Sequence, residues 1–112
     1  MSQQIGFDQL VGLWEDGQAR LAALTNPERN ASERVVDEIA AELRRRVGSR
    51  FTTDQLAEEY MRGTDWCFDL AMRVAPGTPE AWDVSVIVGA GFARYMRRAS
   101  DWGGGRRLYY EE

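Results

Sequence analysis

The sequence predicts an all-α fold, a compact bundle of four major helices joined by short connections. Apolar residues recur at steps of three and four along most of the chain, which indicates amphipathic helices. Proline and glycine stand where the periodic segments end. The chain has 112 residues, of which 44% are hydrophobic and 29% charged. This length and composition suit a globular domain with a single core.

The first predicted helix covers residues 4–24. Its apolar face contains Phe7, Leu10, Trp14, Gly17, Leu21 and Leu24. Large aromatic residues on such a face usually pack inside, so we expect Trp14 in the core. Gly17 marks either a weak point in the helix or a place where another helix comes close.

The second predicted helix begins after Asn26, which can cap it, with Pro27 in the first helical position. It runs to about residue 47, and Gly48 is a natural C-terminal cap. A basic patch lies at its end: Arg44, Arg45, Arg46 and Arg50. These side chains could contact phosphates. The favoured interpretation is that cations gather at the negative end of the helix dipole, because the net charge of the chain is −4.

The third predicted segment has a well-defined start, but its middle fits two interpretations. Thr52 and Gln55 form a capping-box pattern, and the helix should end before Pro76. Gly63 interrupts it, because glycine in a helix interior is about 1 kcal/mol less favourable than alanine. The sequence therefore allows either one long helix or two helices around a turn near Gly63.

Two helices over residues 53–75 would resemble a helix-turn-helix, which could read DNA together with the arginine patch. The second helix would present Asp65, Trp66, Phe68, Asp69 and Arg73. Recognition helices need donors for base edges and cations for phosphates, and two carboxylates do not suit that role. A structural corner or a kinked helix is therefore the favoured interpretation.

The fourth predicted helix covers residues 79–99, with Thr78 as its cap and Pro79 in its first position. It is apolar nearly all round, which predicts a place at the centre of the fold. Ser85, Gly89 and Ala93 are small residues four apart. This pattern predicts a tight helix crossing, either within the chain or across a self-associated dimer.

The last residues change in character, so we divide the chain into a helical domain, 1–102, and a tail, 103–112. Three successive glycines predict a flexible hinge. Residues of this region could dock on a partner: Trp102, Arg106, Arg107, Leu108, Tyr109 and Tyr110. A frayed terminus is an equally good interpretation.

Catalytic chemistry is not evident in the sequence. The chain has no histidine and one cysteine, so it lacks the usual general base and cannot form Ser-His-Asp or Cys-His arrangements. Cys67 is expected to be a small buried hydrophobe. We find no metal-ligand or cofactor-binding motif. The amino terminus lacks a signal-peptide pattern, and no apolar run approaches the ~20 residues of a membrane span. A cytoplasmic protein is expected.

These observations favour a non-enzymatic interaction or regulatory module that works through protein–protein contacts, including contacts with a second copy of itself. The alternative is a helix-turn-helix transcriptional regulator that uses residues 53–75 and the arginine patch.

Overall fold

The fold is built around its last helix. The computed structural model describes residues 7–48, 51–77 and 83–103, which form α1 (Phe7–Ala22), α2 (Asn26–Val47), α3 (Thr53–Val74) and α4 (Val84–Gly103). These residues contain no strand. The predicted all-α bundle of four helices with short connections is confirmed.

Helix α4 packs against α1, α2 and α3, whereas α1 touches α2 only marginally. Every residue from Val86 to Ala93 is buried. The prediction that this helix occupies the centre is confirmed, because three neighbours are needed to cover a helix that is apolar on all sides.

The contact between α1 and α4 brings two backbones together. A Cβ atom on Gly17 would lie 3.0 Å from the Gly89 Cα, and a Cβ on Gly89 would lie 3.1 Å from the Leu13 carbonyl oxygen. Neither position has room for a side chain. Of the two interpretations of Gly17, the close approach of another helix is the one found, and its cause is glycine facing glycine.

The contact between α2 and α4 uses a third glycine. A Cβ on Gly91 would overlap the Ile39 side chain, which is fully buried. At the edge of this contact Arg94 of α4 donates a hydrogen bond to the Asp37 carboxylate of α2. The glycine therefore sets the separation of these two helices, and the ion pair lies at their rim.

Aromatic rings join α3 to α4. Tyr60 meets Phe92 edge to face with ring centres 5.1 Å apart, and Phe51 lies 5.6 Å from Tyr95. Such pairs are worth about 0.5–1.5 kcal/mol beyond the area they bury. The connection before α3 thus contributes Phe51 directly to the main core.

Two helix starts differ from their predictions. Thr25, rather than Asn26, precedes α2, and its hydroxyl donates to the Glu28 carboxylate at 2.8 Å. Helix α4 begins at Val84 rather than at residue 79, because the Asp83 carboxylate accepts hydrogen bonds from the Ser85 backbone N–H and hydroxyl. Arg20 of α1 also pairs with that carboxylate, which draws the start of α4 to α1. The predicted cap Thr78 lies outside the described residues.

Candidate interaction surface

Helix α3 is continuous, so the two-helix alternative near Gly63 is wrong. Its start is the predicted capping box: the Thr52 hydroxyl accepts from the Gln55 N–H at 3.1 Å, and the Gln55 side chain accepts from the Thr52 N–H at 2.8 Å. A Cβ on Gly63 would lie 3.1 Å from Val88 Cγ1. Gly63 is therefore a contact point with α4 and not a turn.

The inner face of α3 belongs to the core. Its members are almost completely shielded from solvent: Leu56, Ala57, Cys67, Leu70 and Ala71. Burial raises the pKa of the Cys67 thiol from 9.0 to about 12. A thiol that stays neutral at physiological pH is a poor nucleophile. The interpretation of Cys67 as a buried hydrophobe is confirmed by its position.

A neighbouring side of α3 carries large apolar side chains in water. Met61 is 49% exposed, Phe68 43% and Met72 38%. They lie seven and four residues apart, and this spacing places them on one side of the helix over about three turns. Among the described residues Leu13, on α1, is the one other exposed large hydrophobic side chain.

Two carboxylates accompany these apolar residues. Asp65 lies four residues after Met61 and three before Phe68, and Asp69 lies three before Met72, so they share this side of the helix. Both are exposed. Neither forms an ion pair or side-chain hydrogen bond with another described residue. We define the outer face of α3 as Met61, Phe68 and Met72 with Asp65 and Asp69.

A polar cluster fixes α3 to α2 beside the core. The Arg46 guanidinium lies 4.5 Å from the ring centre of Trp66. It also pairs with Glu42 at 2.9 Å and with Glu59 at 3.8 Å. A second arginine, Arg45, hydrogen-bonds Glu42 and lowers the pKa of that carboxyl group. This cluster holds α2 and α3 together at the surface.

Two of the four arginines in the predicted nucleic-acid patch belong to this cluster. Arg45 and Arg46 are engaged with carboxylates, Arg44 is exposed near the end of α2, and Arg50 lies outside the described residues. The helix-turn-helix alternative also required a turn within residues 53–75, and α3 has none. The structure therefore does not bring a recognition helix and a free basic patch together.

The three predicted self-association residues differ in exposure. Gly89 and Ala93 are buried, and Gly89 is covered by α1 of the same chain. Ser85 is exposed and hydrogen-bonds Asp83. Of the two interpretations offered by the small residues, the crossing within the chain is the one found. A second copy could reach Gly89 only by displacing α1.

Most of the predicted docking tail lies outside the described residues. Trp102 belongs to the last turn of α4, and the other five members, Arg106 to Tyr110, lie outside the described residues. The division between domain and tail at residues 102 and 103 stays a prediction, and Gly103 is the last residue of α4.

The described parts of the chain contain no group of three or more histidine, cysteine, aspartate or glutamate side chains that could hold a metal ion. Among the same residues, none of the helices is both long and apolar enough to cross a membrane.

Comparison with protein-family models, with curated proteins and with solved structures gives no match for this chain. The candidate surface therefore depends on its own geometry.

Met61 and Met72 were not predicted to be surface residues, although their spacing in the sequence was a usable signal. One line of residues at helical spacing passes through Leu56, Tyr60, Thr64 and Cys67. Met61, Phe68 and Met72 form a second apolar line beside it. Thr64 proves to be exposed. A helix with two apolar lines has more apolar surface than one side of a bundle can cover.

Proposed function

We propose that this protein is a non-enzymatic interaction or regulatory module that binds another protein through the outer face of α3. The observation that carries the proposal is the alignment of Met61, Phe68 and Met72 in solvent on one side of an otherwise well-packed helix. Single exposed apolar residues are common on protein surfaces, whereas aligned ones mark interaction sites more often.

The exposed apolar residues supply part of the free energy that a specific contact needs. Full burial of a Met or Phe side chain is worth ~1.5–3 kcal/mol, so covering the exposed half gives about 1 kcal/mol for each side chain. Methionine also adapts its shape to a partner because its side chain is unbranched and polarisable. Three such residues supply about 3 kcal/mol, and polar contacts at the rim must supply the rest.

The proposal places the contact on α3 and not on the small residues of α4, since α1 occupies Gly89. Docking by Arg106, Arg107, Leu108, Tyr109 and Tyr110 stays a prediction for a second contact of the same module. We predict that binding survives their removal if the outer face of α3 is the principal contact.

Site-specific photo-crosslinking tests the proposal. The photoreactive residue p-benzoylphenylalanine replaces Phe68 in the full chain, and in a matched control it replaces Leu13, the exposed apolar residue of α1. Cells that normally make the protein are irradiated, and adducts are identified by mass spectrometry. We expect one or a few defined partners from position 68 that position 13 does not yield.

Those adducts should be lost when Met61→Gln and Met72→Gln are added to the position-68 protein, while circular dichroism shows unchanged helicity. Identical adducts from positions 68 and 13, or no adduct from either, would contradict the proposal.

A further inference from the structure

We infer that the segment bound by the outer face of α3 is a basic amphipathic helix. It would place apolar side chains on Met61, Phe68 and Met72, and lysine or arginine on Asp65 and Asp69. This inference rests on the proposed function and adds the chemistry of the partner.

The position of Asp65 is the first argument. It lies between Met61 and Phe68 along the same side of α3, so a partner that covers both apolar residues also covers this carboxylate. Burying a carboxylate without a counter-charge is strongly unfavourable. The partner must therefore bring a cation to this position.

The charges elsewhere in the molecule are the second argument. The carboxylates at the rims of the helix contacts have arginine partners in the chain: Asp37 with Arg94, Glu42 with Arg46, and Asp83 with Arg20. Asp65 and Asp69 lack such a partner among the described residues, as do other exposed carboxylates such as Glu15. What distinguishes them is the apolar surface beside them. This is the arrangement expected where the cation belongs to another molecule.

The shape of the surface is the third argument. From Met61 to Met72 the helix rises about 17 Å, which three to four turns of a second helix would cover. Side chains at helical spacing form ridges and grooves into which those of another helix fit. A second copy of this chain is a poor occupant, because two outer faces of α3 would bring the same carboxylates together.

Two designed peptides of 18 residues test the inference. Both carry leucine on one helical face; the first has lysine and arginine along the flanks of that face, and the second has glutamate at the same positions. Binding to the full-length protein is followed by calorimetry and by the methyl signals of methionine in NMR spectra. Met96 is buried and serves as an internal reference for Met61 and Met72.

We expect the basic peptide to bind, to shift the Met61 and Met72 signals more than that of Met96, and to weaken as salt is raised. The Asp65→Asn/Asp69→Asn variant should bind this peptide about tenfold more weakly. A control with the same change in net charge, Glu15→Gln/Glu38→Gln, alters exposed carboxylates of α1 and α2. Its affinity should change less than twofold.

Three results would overturn the inference. They are equal binding of both peptides, no binding of either at millimolar concentration, and equal losses in the two charge variants. Equal binding would leave the proposed function intact, because the apolar side chains alone would then form the interface. Crosslinking at position 68 tests the proposed function separately, since it does not depend on the peptides.

Other occupants would show themselves in the same experiments. Concentration-dependent dimerisation in sedimentation, abolished by Phe68→Ser, would assign the surface to a second copy and overturn the inference. Movement of the Met61 and Met72 signals on Arg106→Ala/Leu108→Ala substitution in the peptide-free protein would assign it to the chain's own tail, with the same consequence.

Discussion

Helices α3 and α4 differ in how much of their apolar surface is buried. Helix α4 is buried on every side over residues 86–93, and it packs against α1, α2 and α3. Helix α3 has one buried side, facing α2 and α4, and a second apolar line in water. The two helices have similar lengths, 20 and 22 residues, so length does not cause the difference.

The comparison separates apolar residues that the fold requires from those that it does not. Removing any large side chain from the buried part of α4 would leave a cavity, whereas Met61, Phe68 and Met72 can change without opening the core. Residues that folding does not explain are the ones for which a binding role is a reasonable hypothesis. Four predictions test this division, from the largest expected effect to the smallest.

The same truncation on each helix should give the largest contrast. Phe92 of α4 is fully buried, and Phe92→Ala should lower the free energy of unfolding by about 3–5 kcal/mol, because it removes apolar contacts and leaves a cavity. Phe68→Ala on α3 should lower it by about 1 kcal/mol or less. Urea denaturation of both variants measures the difference. Similar losses would show that Phe68 is part of the core.

Glycine replacement tests how tightly α4 is enclosed. Gly91→Ala should destabilise the protein by about 1–3 kcal/mol, since the new methyl group would overlap Ile39. Gly12→Ala is the matched control on α1, where no atom lies within 4 Å of the added methyl group. It should stabilise by up to about 1 kcal/mol through helix propensity. Thermal unfolding measures both variants. If both substitutions changed the stability in the same direction, this packing would be contradicted.

Alkaline pH tests the burial of the inner face of α3. In the unfolded chain Cys67 ionises near its usual pKa of 9.0, and in the folded chain burial raises that pKa to about 12. Between these values the folded state binds more protons, so stability falls as pH rises, by up to about 1.4 kcal/mol per pH unit for this group. Burial also raises the pKa of Tyr95 from 10.0 to about 12.

The alkaline measurement is unusually simple because the chain contains neither lysine nor histidine. Urea denaturation at pH 8, 9 and 10 should show a shallower loss of stability for Cys67→Ala than for the original chain. Parallel curves for the two proteins from pH 8 to 10 would mean that the Cys67 thiol is not shielded as described.

The start of α4 gives the smallest effect. Asp83→Ala should lower stability by about 1 kcal/mol, because the Ser85 N–H, 3.0 Å from the carboxylate, loses its acceptor. Asp83→Asn keeps an acceptor and loses only the charge that faces Arg20, so about 0.5 kcal/mol or less is expected. Equal losses in thermal unfolding would assign the effect to the ion pair instead of the cap.

Much of the fold could be predicted because its signals are local. The capping box at Thr52 and Gln55 and the end of α2 at Gly48 depend on residues within one turn of each other. The central position of α4 was predicted from its composition, because a helix that is apolar on nearly all sides must be surrounded by other helices. For Gly17 the sequence allowed either a weak point or a close helix contact, and only the position of Gly89 on α4 decides between them.

The errors arose where a distant residue decides the outcome. Gly63 weakens a helix locally, but Val88, 25 positions later, packs on it and keeps α3 continuous. Pro79 fits the first position of a helix, yet Asp83 sets the start of α4 and is held by Arg20 from α1. The spacing of the outer-face residues of α3 is present in the sequence. Which of the two apolar lines faces the core, however, depends on how α2 and α4 pack.

The central position of α4 has a consequence for biosynthesis. Helix α4 follows α1, α2 and α3 along the chain, so a nascent chain that ends before residue 84 has nothing to fill the space that these three helices surround. Helix α1 would wait longest, because it has almost no other neighbour. The three earlier helices therefore cannot complete their shared core until α4 has left the ribosome, and until then their apolar faces stay exposed.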